Sequence, residues 1–294
     1  MELIKVLLNI LNHPFNQKRK FKAFIVFLKW QFVSRIWRNF LIHQLTENSK
    51  ILVRNGLIGV TGNIYTGLLE FEDMMFALHL LEKDDVFIDV GANVGVYSIM
   101  LSAEKQANSF AFEPIPETFK ILETNVKINN LENKIKIFNI GLGNERKKIK
   151  FFSNLDVSNH VISNQEITGE NVITLGISPL DDLSISKPVC MKIDVEGFEM
   201  EVLKGANSLL KSESLNAIII ELNGSGLKYG VEDIDIHNYL LNYGFAPVSY
   251  NPFKREIKDL DIYGNKNTIY IRDKFIVNSR LIRSSKISID GQRI

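Results

Sequence analysis

Val86-Phe87-Ile88-Asp89-Val90-Gly91-Ala92-Asn93-Val94-Gly95-Val96-Tyr97 is the stretch whose reading decides the fold. A short apolar, β-rich run ends in an acid. A glycine-bearing turn follows, and an apolar-periodic run then reads as a helix. This strand–turn–helix unit is how a doubly wound α/β sheet holds a nucleotide-like ligand at the carboxyl ends of its strands. Gly91 and Gly95 stand at G-x-x-x-G spacing, not in the G-x-G-x-x-G fingerprint of nicotinamide and flavin cofactors.

Working outward, strands and helices alternate from Asp84 onward. The strands read as Val86–Val90, Ser109–Glu113, Ile135–Ile140, Val189–Asp194, Ala217–Leu222, Ala246–Tyr250 and Thr268–Arg272. Helices fall at about 94–103, 117–129, 199–210 and 233–243, so each unit has the length of a βαβ crossover. Pro114 and Pro116 stop the second strand and open the next helix, since proline is tolerated in a first helical turn. The last two strands lack an intervening helix and are expected to pair antiparallel. The expected fold is therefore α/β, a Rossmann-like sheet of seven strands, mostly parallel with one antiparallel. Between the third and fourth strands, 148–152 and 171–175 read as strands. The polar stretch Ser153–Glu170 shows no period and reads as a binding loop.

Upstream, Asn55-Gly56 between Ile51–Arg54 and Leu57–Val60 predicts a hairpin. A glycine-bearing loop at 61–67 and a helix at 68–81 follow. Residues 1–45 read as two helical segments parted near His13-Pro14, with eight Lys/Arg against the single acid Glu2. That segment carries +7 of a chain whose net charge is +1, leaving −6 on the rest. It reads either as a helical extension packed on the main domain with a solvated basic face, or as an amphipathic helix on a membrane surface. The expected organisation is thus 1–45 helical extension, 46–84 hairpin and helix capping the core, 85–272 main domain, and 273–294 tail.

Composition narrows the classes. The chain has 294 residues, 45% hydrophobic and 23% charged, which is globular and enough for a sizeable core. The near-neutral balance gives no global nucleic-acid footprint. One cysteine, Cys190, allows neither an intrachain disulfide nor a cysteine-based zinc site. The start of the chain lacks the features of a signal peptide. The longest apolar stretch, Phe21–Val33, is interrupted by Lys22, Lys29 and Gln31, and is short of the roughly 20 residues a spanning helix needs. The expected location is cytoplasmic, with peripheral contact to the inner membrane surface under the second reading of residues 1–45.

Acids mark the strand ends. Glu113 closes the second strand, 22 residues after Gly91, where a carboxylate accepts hydrogen bonds from ribose hydroxyls. It would also suit a helix N-terminus. In Lys192-Ile193-Asp194-Val195-Glu196-Gly197, residues 192, 194 and 196 share one side if extended. Lys192 on a buried central strand needs a partner, either Asp194 or Asp89. Glu221 closes the next strand. Three acid-bearing strand ends beside a nucleotide-type turn favour a site. The histidines at 13, 43, 79 and 237 lack metal-like spacing and read as structural.

Asp89-Val-Gly-Ala-Asn-Val-Gly95, Ala111-Phe-Glu-Pro114, Leu142-Gly143, Lys192-Ile-Asp-Val-Glu-Gly197 and Val202-Leu-Lys-Gly-Ala206 occur in this order. Together they resemble the FkbM family of S-adenosylmethionine-dependent methyltransferases over about residues 85–250. Asn63–Asp73 and Asn267–Arg283 also look similar to bacterial members associated with surface glycans. The resemblance implies a seven-stranded methyltransferase fold with S-adenosylmethionine as cofactor. It implies that Asp89, Gly91, Asn93 and Gly95 line the methionine and ribose portion, and that Glu113 holds the ribose. Asn144 stands where an acid near the adenine is expected.

Methyl transfer from a sulfonium to a hydroxyl needs in-line alignment and a group to take the hydroxyl proton. The candidates are Asp194, Glu196, Glu221 and His160, with the Asp194/Glu196 pair favoured. The same three acids could instead hold magnesium, although no metal is expected. The expected acceptor is a sugar or glycan hydroxyl, or another hydroxylated metabolite. The alternatives are a nicotinamide-dependent Rossmann enzyme, or a non-catalytic membrane-surface or glycan-binding module.

Overall fold

The computed structural model describes residues 2–37, 39–54, 56–152, 160–161, 172–264 and 266–294. Its main sheet has eight strands. In chain order these are β1 (Val86–Val90), β2 (Asn108–Phe112), β3 (Ile135–Phe138), β4 (Pro188–Ile193), β5 (Ala217–Glu221), β6 (Ala246–Asn251), β7 (Glu256–Asp259) and β8 (Asn267–Ile271). Their spatial order is β7-β6-β8-β5-β4-β1-β2-β3. Strands β1 to β5 are mutually parallel, and β8 runs against β5. The sheet is mostly parallel, as read. The eighth strand, β7, adds a second reversed strand beyond the seven expected, because β6 returns through a hairpin.

The order reverses between β1 and β4, which are neighbours in space but separated by two βα units in sequence. A crevice opens at such a reversal, above the carboxyl ends of the strands. Alternation along the central strands divides the core into two faces. Phe87, Cys190, Ile219 and Ile269 pack toward helices Phe71–Leu80, Val96–Lys105 and Lys274–Arg283. Ile88, Met191, Ile218 and Tyr270 pack toward Glu199–Lys204 and Asp233–Asn242. Cys190 is wholly buried, and burial pushes its thiol up, so it serves as a small core hydrophobe.

Two local expectations are corrected. The hairpin pairs Leu41–Gln44 with Lys50–Val53, and Ile58–Thr66 is a helix, not a returning strand. The helix expected over 199–210 is two short helices, Glu199–Lys204 and Asn207–Lys211. The segment after β3 folds into a separate four-stranded sheet containing Lys147–Phe152 and Val172–Ser178. Most of the loop Ser153–Glu170 lies outside the described residues. The N-terminal region forms helices Glu2–Asn12 and Lys20–Ile36, and the tail forms Lys274–Arg283 and a short terminal hairpin.

Candidate active site

One cavity of about 290 Å³ lies over the β1/β4 reversal. Its floor is the turn after β1. Gly91 adopts φ +79°, and a Cβ there would stand 1.8 Å from the Asp194 carbonyl oxygen. Strand β4 therefore closes on β1 only over a glycine. Gly95 caps the following helix at φ +90°. Asn93, at φ +51°, donates its backbone N–H to Glu113 Oε2 at 3.0 Å.

Glu113 ends β2 and lines the cavity. Its Oε1 accepts the Ile115 N–H at 2.8 Å. Burial raises its pKa to about 7, against the pull of these two backbone donors. Each oxygen of a carboxylate has two acceptor positions, so both retain one for a ligand hydroxyl. The helix-terminus and ligand readings of Glu113 are thus compatible.

Asp89 is buried beneath the turn and lines the cavity. Its Oδ2 accepts the Ser98 hydroxyl at 2.6 Å and the Ser98 N–H at 3.2 Å. Burial raises its pKa, opposed by the charge of Lys192. Lys192 is register partner to Asp89 across β1 and β4. Its ammonium contacts Asp194 Oδ2 at 2.6 Å and lies 4.9 Å over the Tyr97 ring. Burial works to discharge it, but Asp194, Glu70 and Asp89 more than offset that and hold it protonated.

Asp194, Glu196 and Glu221 converge on one wall. One carboxylate oxygen from each lies within 4.8 Å of the others. Glu196 gets there from a left-handed conformation, φ +55°, so the wall does not depend on an extended strand. Burial, then the charges of Asp194 and Glu196, raise the Glu221 pKa to about 8. Its Oε2 is buried with no hydrogen-bond partner among the described residues. Glu199 supports the wall from behind by accepting the Val195 and Gly197 N–H groups.

The fold also brings in residues that the sequence reading missed. Glu70 lines the cavity and accepts the Tyr97 hydroxyl at 2.6 Å. Asp73, one helical turn further on, bonds to Asn267 on β8. The segments Asn63–Asp73 and Asn267–Arg283 therefore meet here. No spacing rule links Glu70 to Tyr97 or Lys192; the only signal was an acid flanking a glycine-bearing loop. Asn144, by contrast, is exposed and does not line the cavity; Ile140, Gly141 and Leu142 do. His160 lies on a two-residue strand against Phe152, and its side chain lies outside what is described. His79 and His237 bond buried tyrosine hydroxyls, those of Tyr250 and Tyr270, and His13 bonds a backbone carbonyl.

The donor set fits a nucleoside bearing a positive charge. Glu113 offers ribose acceptors, and Pro114, Ile115, Leu142 and Phe151 supply apolar surface for a flat base. The acidic wall suits a cation. The same three carboxylates have a spacing that a divalent ion could bridge.

A doubly wound sheet with a crevice at its strand reversal places a nucleotide-type ligand there. A family model described as the methyltransferase FkbM domain matches residues 89–247, more than half of the chain, which belongs to that family. The hexuronic acid methyltransferase AglP of Haloferax volcanii is 32% identical over 163 residues, 54% of this chain and 62% of AglP. The chain thus matches about three-fifths of that relative's length. Methyltransferase sdnD of Sordaria araneosa is 22% identical over 196 residues, 55% of this chain and 76% of sdnD. A crystal structure of methyltransferase FkbM from Methylobacillus flagellatus superimposes with a TM-score of 0.44 at 16% identity, covering 72% of this chain and 52% of that one.

Proposed function

We propose that the protein uses S-adenosylmethionine to methylate a hydroxyl oxygen of a sugar, glycan or other hydroxylated small metabolite. The observation that carries this reading is one cavity joining a ribose-type acceptor, Glu113, to an unpartnered buried carboxylate oxygen on Glu221. A sugar acceptor draws further support from the name of the relative AglP, a hexuronic acid methyltransferase.

When bound, the cofactor supplies an electrophilic methyl group on a positively charged sulfur. The chain's own residues do the rest. Glu113 holds the ribose hydroxyls, and the Gly91–Gly95 turn lets the ligand lie against main chain. Glu221, poised near pH 8 by burial and its acidic neighbours, takes the proton from the acceptor hydroxyl. Asp194 is occupied by Lys192, so the base is Glu221 in preference to the Asp194/Glu196 pair. Holding acceptor and methyl in line within a walled cavity is a large part of the rate enhancement.

Isothermal titration with S-adenosylmethionine and S-adenosylhomocysteine tests the first step. No binding by the folded protein, or saturable binding of NAD instead, would overturn the assignment. Transfer of an isotopically labelled methyl into cell-extract fractions tests the acceptor. Label in a glycan or small metabolite is expected; label in protein or nucleic acid would replace that substrate class, and no transfer to any fraction would favour a non-catalytic module. Because three carboxylate oxygens cluster within 4.8 Å, the assay is run with and without EDTA. Unchanged activity is expected for proton transfer to Glu221, and lost activity would assign the cluster to a divalent ion.

A further inference from the structure

Helix Lys20–Ile36 is apolar on two opposite faces. Ala23, Phe27, Trp30 and Ser34 are buried and recur at helical spacing, forming the stripe that rests on the domain. Through this stripe the helix meets Ile58–Thr66: the Phe27 ring lies 5.7 Å from that of Tyr65, and Gln31 donates to the Tyr65 hydroxyl at 3.2 Å. On the far side Phe21, Ile25, Leu28, Phe32 and Ile36 recur at i, i+4, i+7, i+11 and i+15. Phe21 is 79% exposed and Phe32 68%. Exposed Trp37 caps the helix just beyond Ile36. Of the 21 exposed large hydrophobic side chains among the described residues, 13 lie between residues 3 and 42. Scattered exposed hydrophobics are ordinary, but a contiguous strip of this kind marks an interaction surface.

Charge selects the occupant. Residues 1–45 carry +7, with Glu2 the one acid. Projected down the helix, Arg35 borders the exposed apolar strip on one side and Lys29 on the other, with Lys22 beyond Lys29 and paired to Asp290 at 2.9 Å. Two copies of this surface would bring like charge against like charge. A bilayer with anionic headgroups complements it, taking the apolar side chains at the headgroup–acyl boundary and the lysines on phosphates. A tryptophan at the end of the strip is the residue enriched at that boundary. No helix among the described residues is long and apolar enough to cross a membrane, so the contact is a seating on the surface.

We propose that the outer face of helix Lys20–Ile36 docks the protein onto an anionic membrane surface. Helix Ile58–Thr66 is shared between this seat and the cavity wall, where it contributes Val60 and Asn63. The seat therefore lies one helix from the candidate active site. The docking stands independently of the reaction assigned to that site.

Vesicle flotation of the full chain tests it, using phosphatidylcholine alone and phosphatidylcholine containing phosphatidylglycerol. The protein is expected to float with the anionic vesicles, much less with the neutral ones, and to be released by salt. Phe21→Glu/Phe32→Glu should lower the bound fraction about tenfold or more, with unchanged melting temperature, because both rings are solvent-exposed in the fold. Lys29→Glu/Arg35→Glu, which reverses the two cations flanking the strip, should abolish the preference for anionic lipid. No flotation with anionic vesicles, or flotation indifferent to both variants, would overturn the proposal. So would a wild-type dimer in sedimentation velocity that Phe21→Glu/Phe32→Glu converts to monomer, since a second copy would then cover the face.

Discussion

Glu221 owes its chemistry to its neighbours. Glutamate in water is a weak base, whereas here burial and two adjacent carboxylates raise its pKa to about 8, and one oxygen has no partner among the described residues. Glu221→Gln keeps the shape and removes the base. It is expected to lower kcat by about 10²- to 10⁴-fold while changing the S-adenosylmethionine dissociation constant less than about threefold. Wild-type kcat should rise with pH toward a plateau as Glu221 deprotonates, with the sulfonium's positive charge drawing the midpoint below about 8. Steady-state kinetics across pH, paired with titration calorimetry, separates these effects; an unchanged kcat would move the base elsewhere. Gly91 is the second single residue on which the site turns. Gly91→Ala sets a methyl group against the Asp194 carbonyl at a φ of +79°. A loss of about 2 kcal/mol or more in urea unfolding is expected, with weakened cofactor binding, because β1 and β4 must part to admit it.

Elements are joined by side chains that no local pattern announces. The Asn55-Gly56 pair predicted a hairpin, yet Lys50–Val53 pairs backward with Leu41–Gln44. Its other edge is already bonded. Asn125 Oδ1 accepts the Leu52 N–H at 2.8 Å, and Asn129 bonds both the N–H and the carbonyl of Lys50. A returning strand would compete with those bonds, so the chain turns into helix Ile58–Thr66 instead. Asn125 also donates to the Val94 carbonyl at 2.9 Å, tying the hairpin to the turn after β1. Asn125→Ala leaves a buried carbonyl and an N–H unpaired, and should cost about 1–3 kcal/mol of stability. It should also weaken S-adenosylhomocysteine binding. Chemical denaturation and calorimetry measure both; loss of stability with untouched binding would mean that the turn holds its shape without the hairpin.

Across the molecule, acids are buried on one side of the sheet end. Asp73 and Glu113 are raised to about 7, Glu199 to about 7 and Glu221 to about 8, in each case first by burial. The unfolded chain titrates such groups near 3.8 for Asp and 4.5 for Glu. Between those values and about 8 these acids hold more protons folded than unfolded, whereas His79, lowered to about 3 by burial, works the opposite way below its ordinary 6.5. Above about 6.5, where the histidines are neutral in both states, the acids decide the sign, and stability falls as pH rises through 7 to 8. The melting temperature of the ligand-free protein should accordingly decline from about pH 6.5 to about pH 8.5, less steeply in Glu221→Gln. Differential scanning calorimetry across that range checks it; a melting temperature that rises with pH would contradict the buried, strained acids. The same strain explains why a cationic ligand suits the crevice, since it relieves what burial imposes.

The sequence alone determined the repeating βα units, the glycine turn after β1 and the acids at three strand ends. These rest on local rules: hydrophobic period, proline and glycine stereochemistry, and the twofold alternation of strand side chains. It also carried the family, because the motifs combine short-range geometry with fixed order. Only the tertiary structure decided which acid has an unpartnered oxygen, that Lys192 occupies Asp194, that Glu70 and Tyr97 join the wall, and that Asn144 does not. It likewise decided that helix Lys20–Ile36 is apolar on two sides, one packed and one open. Apart from the Lys192–Asp194 pair, two positions apart, those outcomes depend on contacts between residues distant in the chain. Burial and electrostatic coupling are properties of that assembled neighbourhood, and no local window of sequence contains them.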